Sequence, residues 1–508
     1  MIVHNGGPAQ SIAEATLFPF DDYSIPLNKN LLMELLPARK TPYETGHGFD
    51  PEHPGRPVVV QGGPDDPDST EVVYYGSVIG IDGEYHMWYG GAGADHIRRV
   101  CYAVSKDGIE WDKPKLGILE YNGNKNNNLV GLVGDGKTRM IPAEHLAVLY
   151  EPDDPDPQRR YKMVYAGSSA AVSAAFSEDG LRWVDSPHNP IIRGSRLEHG
   201  GLVRYGGCYY MNGQGSAVPH PIKGARKRTM VTFASYDFEH WPQAALLSFR
   251  RDNIPPRPPT DFELHRGEQV HVGATLWNRG NVLIGIYGQY HNETNDRRFS
   301  TCDLGLVVSN DAMHFKEPVP DFKMVPSYEE PDGASPRLLQ GQGFENIGDR
   351  SLFWYGGWRE SSATENAVRV ATWPKDRLAH FSPDPSSVQL RHFDSSEDFG
   401  SIIEPSHFIS CPMETEGNNV CVSVNASGLS ENSYLRVEVL SREFEPIAGL
   451  SGDDCVAVAE SGSRQRVTWK GRDSLGEMRS PVRLKVIWEG LRPEDARLHA
   501  AYIGPDPT

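Results

Sequence analysis

At 508 residues, with 38% hydrophobic and 23% charged side chains, the chain is too long for one compact core and ordinary enough in composition for a globular protein of two domains. A formal net charge of -18 argues against nucleic-acid binding, which needs clustered Lys and Arg, and it suits a neutral or cationic ligand unless a local basic pocket reverses it. The counts Gly 51 and Pro 39, with many aromatic residues, favour short strands between turns over long helices.

No apolar run approaches the roughly 20 residues of a membrane span, and Met1 to Leu17 lacks a basic segment leading into an apolar one. A cytoplasmic protein with no membrane partner is therefore expected. The oligomeric state is not legible. Cys101, Cys208, Cys302, Cys411, Cys421 and Cys455 are scattered, with neither zinc-ribbon nor disulfide-framework spacing. They are expected to be reduced and mostly buried, a Cys411–Cys421 bridge being the alternative.

Residues 1–60 are punctuated by Pro and Gly and are expected to form an extension packed on the first domain. A short helical pattern is expected at Asn30 to Leu36. Strand signals become dense past Asp68. A signature then recurs, in which a strand runs into Ser, a turn with Asp, and an aromatic residue. It reads Ser105-Lys106-Asp107-Gly108-Ile109-Glu110-Trp111, then Ser177-Glu178-Asp179-Gly180-Leu181-Arg182-Trp183. Looser copies are Ser235 to Trp241 and Ser309 to Phe315, and Thr372 to Asp376 is a degenerate fifth. The intervals are 72, 58, 74 and 63 residues (177−105, 235−177, 309−235, 372−309). Each copy follows an aromatic-rich strand such as His86-Met87-Trp88-Tyr89 or Leu352-Phe353-Trp354-Tyr355.

Five units of about four strands predict an all-β chain, a five-bladed β-propeller over residues 61–393. The Trp after each turn is expected to pack between neighbouring blades. From about Asp394 the strands alternate without the signature, which predicts a C-terminal β-sandwich over 394–508.

The runs Glu84 to Tyr89 and Ser105 to Pro114 resemble the five-bladed glycoside hydrolases of families 32, 43, 62 and 68. Leu116 to Gly123 extends the likeness to bacterial relatives of that superfamily, and a C-terminal sandwich resembles family 32 architecture. The resemblance implies a glycoside hydrolase acting on an oligosaccharide or other small glycoside. Tyr74-Tyr75-Gly76-Ser77-Val78 stands where family 32 carries Asn-Asp-Pro-Asn-Gly, and its Arg-Asp-Pro and Glu-Cys motifs are missing. The family nucleophile is therefore not carried over.

Similar openings recur in the middle units: Glu144-His145, Glu198-His199 and Glu268-Gln269-Val270-His271. In a propeller the inner strands line a common funnel. Counting back 12 residues from the aromatic strands aligns His199, His271, Gln342 and Gly76, with His145 matched by motif. Whether Glu or His points inward in each pair depends on register. In a hydrolase, Glu144 and Glu198 would be acid and base or nucleophile, with Glu268 or Glu71 as auxiliary. His145, His199, His271 and Gln342 would bind sugar hydroxyls, Trp358 would stack and Arg359 would clamp. That reading needs no cofactor. In the alternative, His145, His199 and His271 hold one divalent ion (Mn, Zn or Ca) for a lyase or metal-assisted hydrolase. A non-catalytic carbohydrate-binding propeller is the third reading. Glu329-Glu330-Pro331-Asp332 reads as a solvated acidic loop.

Overall fold

The computed structural model describes the chain except residues 40–56, 169–170, 194–196, 216–227, 252–266, 295, 328–336, 358–366, 387–404, 418 and 507–508. The described residues form β-strands, loops and short 3-10 turns, as the composition requires. Among them no helix is long and apolar enough to cross a membrane.

The chain divides into two units. Pro37–Trp277 with Ile284–Trp373 carries five antiparallel meanders. The first runs through Glu71–Ile81, Glu84–Ala92, Arg98–Ser105 and Trp111–Asp112, and the second through His145–Tyr150, Tyr161–Ser168, Ala171–Ser177 and Arg182–Asp185. Glu198–Tyr205 opens the third, Gly267–Asn278 the fourth and Leu338–Ile347 the fifth.

These opening strands lie against one another in chain order. Val148 N donates to Ser77 Oγ (2.9 Å), joining the first two. The His145 and His199 rings, 5.8 Å apart, join the second and third. Gly200 and Gly201 press against the Val272 and Ala274 carbonyls, where a Cβ would come within 2.7 and 2.1 Å. Gln340 Nε2 donates to His271 O and Gly273 O (both 2.6 Å), and Gln342 lies level with Ser77 in a parallel bridge from fifth to first. We call these five the inner strands. They are buried along most of their length, which is why they read as continuous apolar and small-residue runs instead of alternating ones.

The recurring signature is a repeated turn. In the first copy Ser105 Oγ donates to Asp107 Oδ1 (3.0 Å) and accepts from Gly108 N (2.8 Å), while Asp107 Oδ1 accepts from Ile109 N and Glu110 N. The same bonds recur at Ser177/Asp179, Ser235/Asp237 and Ser309/Asp311. Such Asx- and Ser-based turns satisfy the backbone without a ladder. The degenerate fifth copy forms no such turn. Thr372 pairs its backbone with Arg39, while Asp376 accepts from Arg279 and Tyr502 in the other unit.

The Trp residues after the turns pack between neighbouring sheets, Trp111 edge-on to Trp354 at 6.0 Å and Trp183 and Trp241 in the layers between sheets one and two and two and three. Indoles of the aromatic-rich strands cross as well, Trp88 Nε1 donating to Gly180 O (2.7 Å) and Trp354 Nε1 to Gly108 O (2.8 Å). Apolar layers fill the spaces between sheets one and two, two and three, and five and one.

The other unit comprises Met1–Leu36, Asn278–Leu283 and Pro374–Thr508. Two six-stranded sheets share one core that includes Leu17, Phe408, Val424, Leu484, Trp488 and Ile503. This revises the expected divisions at residues 60 and 393. The first 36 residues are not an extension of the propeller region, because Ala15–Leu17 pairs with Arg497–Pro505 and Leu31–Leu35 with Ala379–Pro383. The pattern at Asn30–Leu36 is correspondingly a strand, its side chains alternating between solvent and core. All six cysteines are free and buried, so Cys411 and Cys421 form no bridge.

Candidate functional site

Four of the five inner strands are irregular at a comparable level. Pairing slips between Val73 and Ser77, between His199 and Gly201, and between Gln340 and Phe344. In sheet four Val272 and Gly273 take positive φ (67° and 101°). Bulges of this kind re-aim side chains. Glu198-His199 and His271 stand at two of these irregularities, whereas Glu144-His145 opens the regular second inner strand.

Glu71 opens the inner strand of sheet one, level with Arg98 on the third strand. Arg98 grips Glu71 through Nε (2.8 Å) and Nη2 (2.7 Å), and its Nη1 reaches Glu144 Oε2 at 3.0 Å. One guanidinium thus ties the carboxylates of sheets one and two. The hydrogen bonds to Glu71 raise Arg98 further above its already high ordinary value, so it stays cationic. Glu144 is fixed by its backbone, whose N donates to Ala166 O (2.9 Å).

His145 and His199 are buried, and Tyr75 stands 4.6 Å from the His145 ring. Neither His145 Nδ1 nor either ring nitrogen of His199 has a well-formed hydrogen bond. Burial pulls His145 well below the ordinary imidazole range, helped by His199 and Arg98, and pulls His199 down to about 4. Both imidazoles are neutral at pH 7. The Tyr75 phenol is pushed well up by burial and then by Glu198, with Cys302 and Glu144 adding and Arg98 opposing. Tyr75 therefore keeps its proton while standing among both candidate carboxylates.

Glu198 accepts from the Gln214 amide (2.9 Å), whose oxygen accepts from Val272 N (3.2 Å) and ties sheet three to sheet four. Arg98 thus joins Glu144, and Tyr75 joins His145, whose ring neighbours His199; neither Arg98 nor Tyr75 is singled out by the Glu-His recurrence. The signal for Tyr75 lay in Tyr74 to Val78, the stretch that departs from the family motif. For Arg98, a basic residue opening a strand opposite Glu71, local spacing carried none.

Other expected members stand apart. Glu268 engages His291 Nδ1 through Oε1 and Arg251 Nη1 through Oε2 (3.2 Å), a buried ionic brace and not an open carboxylate. His271 lies near-parallel to Tyr290 at 6.3 Å. Gln342 spends its amide on the Leu202 backbone, accepting from N (2.5 Å) and donating to O (2.6 Å), because it spans from sheet five to sheet three. Trp358, Arg359 and the loop Glu329 to Asp332 lie outside the described residues. Among the described residues no group of three or more His, Cys, Asp or Glu side chains is arranged to hold a metal ion. The His145 and His199 rings lie 5.8 Å apart and tilted by 60°, and His271 lies beside Tyr290.

No protein-family model matches the chain, and no curated protein does. Solved structures that match part of the chain include glycoside hydrolases. One belongs to work on the GH130 family of mannoside phosphorylases, which contains hydrolases of β-1,2 mannosidic linkages in Candida mannan: 14% identity, 63% of this chain and 92% of that chain, TM-score 0.42. A glycosyl hydrolase from Bacteroides ovatus matches at 15% identity over 65% of this chain and 96% of that one, TM-score 0.40. A thermostable family-43 glycoside hydrolase matches at 13% identity over 60% and 91%, TM-score 0.41. These values assign no role to any residue of this chain.

Proposed function

We propose that the chain is a glycoside hydrolase acting on an oligosaccharide or other glycoside at the common opening of five inner strands. Closure of the five sheets into a propeller is supported by the unbroken run of contacts from the first inner strand round to the fifth and back to Ser77. The paired six-stranded sheets of the other unit fit a sandwich.

The observation that carries the reading is that Glu144 and Glu198 open successive inner strands beside His145 and His199, whose rings lie 5.8 Å apart, with Tyr75 4.6 Å from the His145 ring. Glycosidic cleavage needs one carboxyl group that gives a proton to the leaving oxygen and a second that acts on the anomeric carbon directly or through water. Glu144, beside the permanent charge of Arg98, has the partner suited to a base or nucleophile. Glu198 meets the neutral Gln214 amide and suits the proton donor. Tyr75, protonated, donates to a sugar or ring oxygen. His145 and His199, neutral and with buried ring nitrogens that lack a well-formed hydrogen bond, offer partners to sugar hydroxyls that reach them. Glu71 and Glu268 act as braces, the first holding Arg98 and the second holding sheet four.

The test is a panel of aryl glycosides with Glu144→Gln and Glu198→Gln. Loss of either group should lower kcat/KM by about 10²–10⁴-fold. For Glu198→Gln the loss should shrink on dinitrophenyl glycosides, whose leaving group needs no proton. Wild-type activity in both variants on every cleaved substrate would remove this pair from the mechanism.

A further inference from the structure

Sheets three and four present a cation with no counter-charge among the described residues. Arg228 directly precedes the third strand of sheet three (Thr229–Ser235). Its N donates to Gln269 Oε1 (3.3 Å) and its carbonyl accepts from Val270 N (3.4 Å), which pins it against the inner strand of sheet four. The half-buried guanidinium lies over the fully buried ring of Tyr290, 4.9 Å from its centroid. Other cations of these sheets are paired, Arg98 with Glu71 and Glu144, Arg251 with Glu268 and Asp321, and Lys323 with Asp303. Among the described residues Arg228 has no carboxylate, in a chain whose acids outnumber its Lys and Arg by 68 to 50. Two hydroxyl groups of the same sheets are also buried without hydrogen-bond partners, Oγ1 of the adjoining Thr229 and the phenol of Tyr290 itself.

Arg251, Arg228 and Arg337 act, against Asp303, on the buried Cys302 thiol, which lies on the third strand of sheet four.

Resting on the hydrolase reading for its location, we infer that this corner binds the carboxylate of an acidic sugar, with Arg228 as the anchor. A planar guanidinium stacked on an aromatic ring is pre-oriented to take a carboxylate in a two-pronged grip. Thr229 and Tyr290 supply hydroxyl donors for the remaining lone pairs. A half-buried charge left uncompensated is costly, and a substrate anion removes that cost. Charge count favours a carboxylate over phosphate, since Arg251 and Lys323 of the same sheets are already paired and one uncompensated guanidinium matches one negative charge. The overall charge of -18 disfavours anions at long range, so recognition depends on this local contact.

Titration calorimetry of the full chain with glucuronate, galacturonate, glucose and galactose tests it directly. At least one uronate should bind more tightly than its neutral counterpart. Arg228→Gln should weaken that binding roughly tenfold to a hundredfold. Arg228→Lys, which keeps the charge and loses the fork, should fall between the two. Arg298→Gln, which removes an exposed guanidinium paired with Asp296, should leave binding unchanged. Thermal melts establish that each variant is folded. No uronate binding at millimolar concentration, equal binding of acid and neutral sugars, or unchanged uronate affinity in folded Arg228→Gln overturns the inference. Inorganic phosphate that displaces the uronate and accelerates cleavage overturns it in favour of a phosphate site. An Arg228-dependent uronate complex with no cleavage of any glycoside would leave this inference standing while removing the hydrolase reading. Cleavage of neutral glycosides alone, indifferent to Arg228, would do the reverse.

Discussion

His145 and His199 are polar side chains kept in an environment that refuses their charged form, and that refusal has a measurable sign. In the unfolded chain an imidazole takes up its proton near pH 6.5, whereas folded His199 does so only near 4. Above 6.5 both states are neutral and the residue has no effect on the pH dependence. As pH falls from 6.5 towards 4 the unfolded state binds the proton first, and stability drops by up to about 3 kcal/mol from this one residue. His145, and His499 in the other unit, where burial lowers the imidazole to about 3, act in the same direction. Urea unfolding at pH 7 and pH 4.5 should therefore show a steep loss for wild type and a shallower one for His199→Gln. Equal slopes would mean that His199 is not desolvated in solution. The recurrence of Glu before His made these residues legible in the sequence. The side chains that give the pairs their chemistry were not, because Tyr75 depends on a bulge and Arg98 on a partner 46 positions away (144−98).

At the scale of the element, the Ser-x-Asp turn was legible because its hydrogen bonds are local and each needs a particular side chain. What the sequence left hidden is why two copies carry Gly where the other two carry Phe238 and Ala312. All four positions have positive φ, 74° at Gly108, 72° at Gly180, 69° at Phe238 and 62° at Ala312. Conformation alone therefore does not demand Gly. At Gly108 the demand is Trp354 of sheet five, since a Cβ there would lie 2.7 Å from its ring. Gly83, in the hairpin of sheet one, has φ 83° and nothing within 4 Å of its would-be Cβ. Gly83→Ala should thus cost about 1 kcal/mol, from backbone strain alone. Gly108→Ala adds overpacking and should cost about 2–4 kcal/mol. Chemical denaturation of the two variants side by side checks the difference, and similar losses would mean that Trp354 yields freely. Bulges were illegible for the opposite reason. An inserted residue has no composition of its own, so counting back by a fixed interval set Gln342 beside the histidines although its amide is committed to Leu202.

Over the whole chain, what fails to follow from reading in order is the fate of the first 36 residues. Local pattern suggests a helix at Asn30–Leu36, but a seven-residue stretch with apolar residues at most positions fits helix and strand alike. The edge offered by Ala379–Pro383 decides between them, with Leu35 opposite Ala379 and Leu31 opposite Pro383. Ala15–Leu17 likewise completes a sheet through Arg497–Pro505, and Arg464 closes on Glu14 from the same unit (2.7 and 2.8 Å). These N-terminal strands are too short to be stable alone, so their order derives from a partner more than 340 positions away. A chain truncated after Trp373 loses every one of those partners. Limited proteolysis with mass spectrometry should then cut within Met1–Leu36 at trypsin levels that leave this segment intact in the full chain, Lys29 being the natural first site. Resistance of Lys29 in the truncated chain would show that the N-terminal strands are held by something other than the sheets they join.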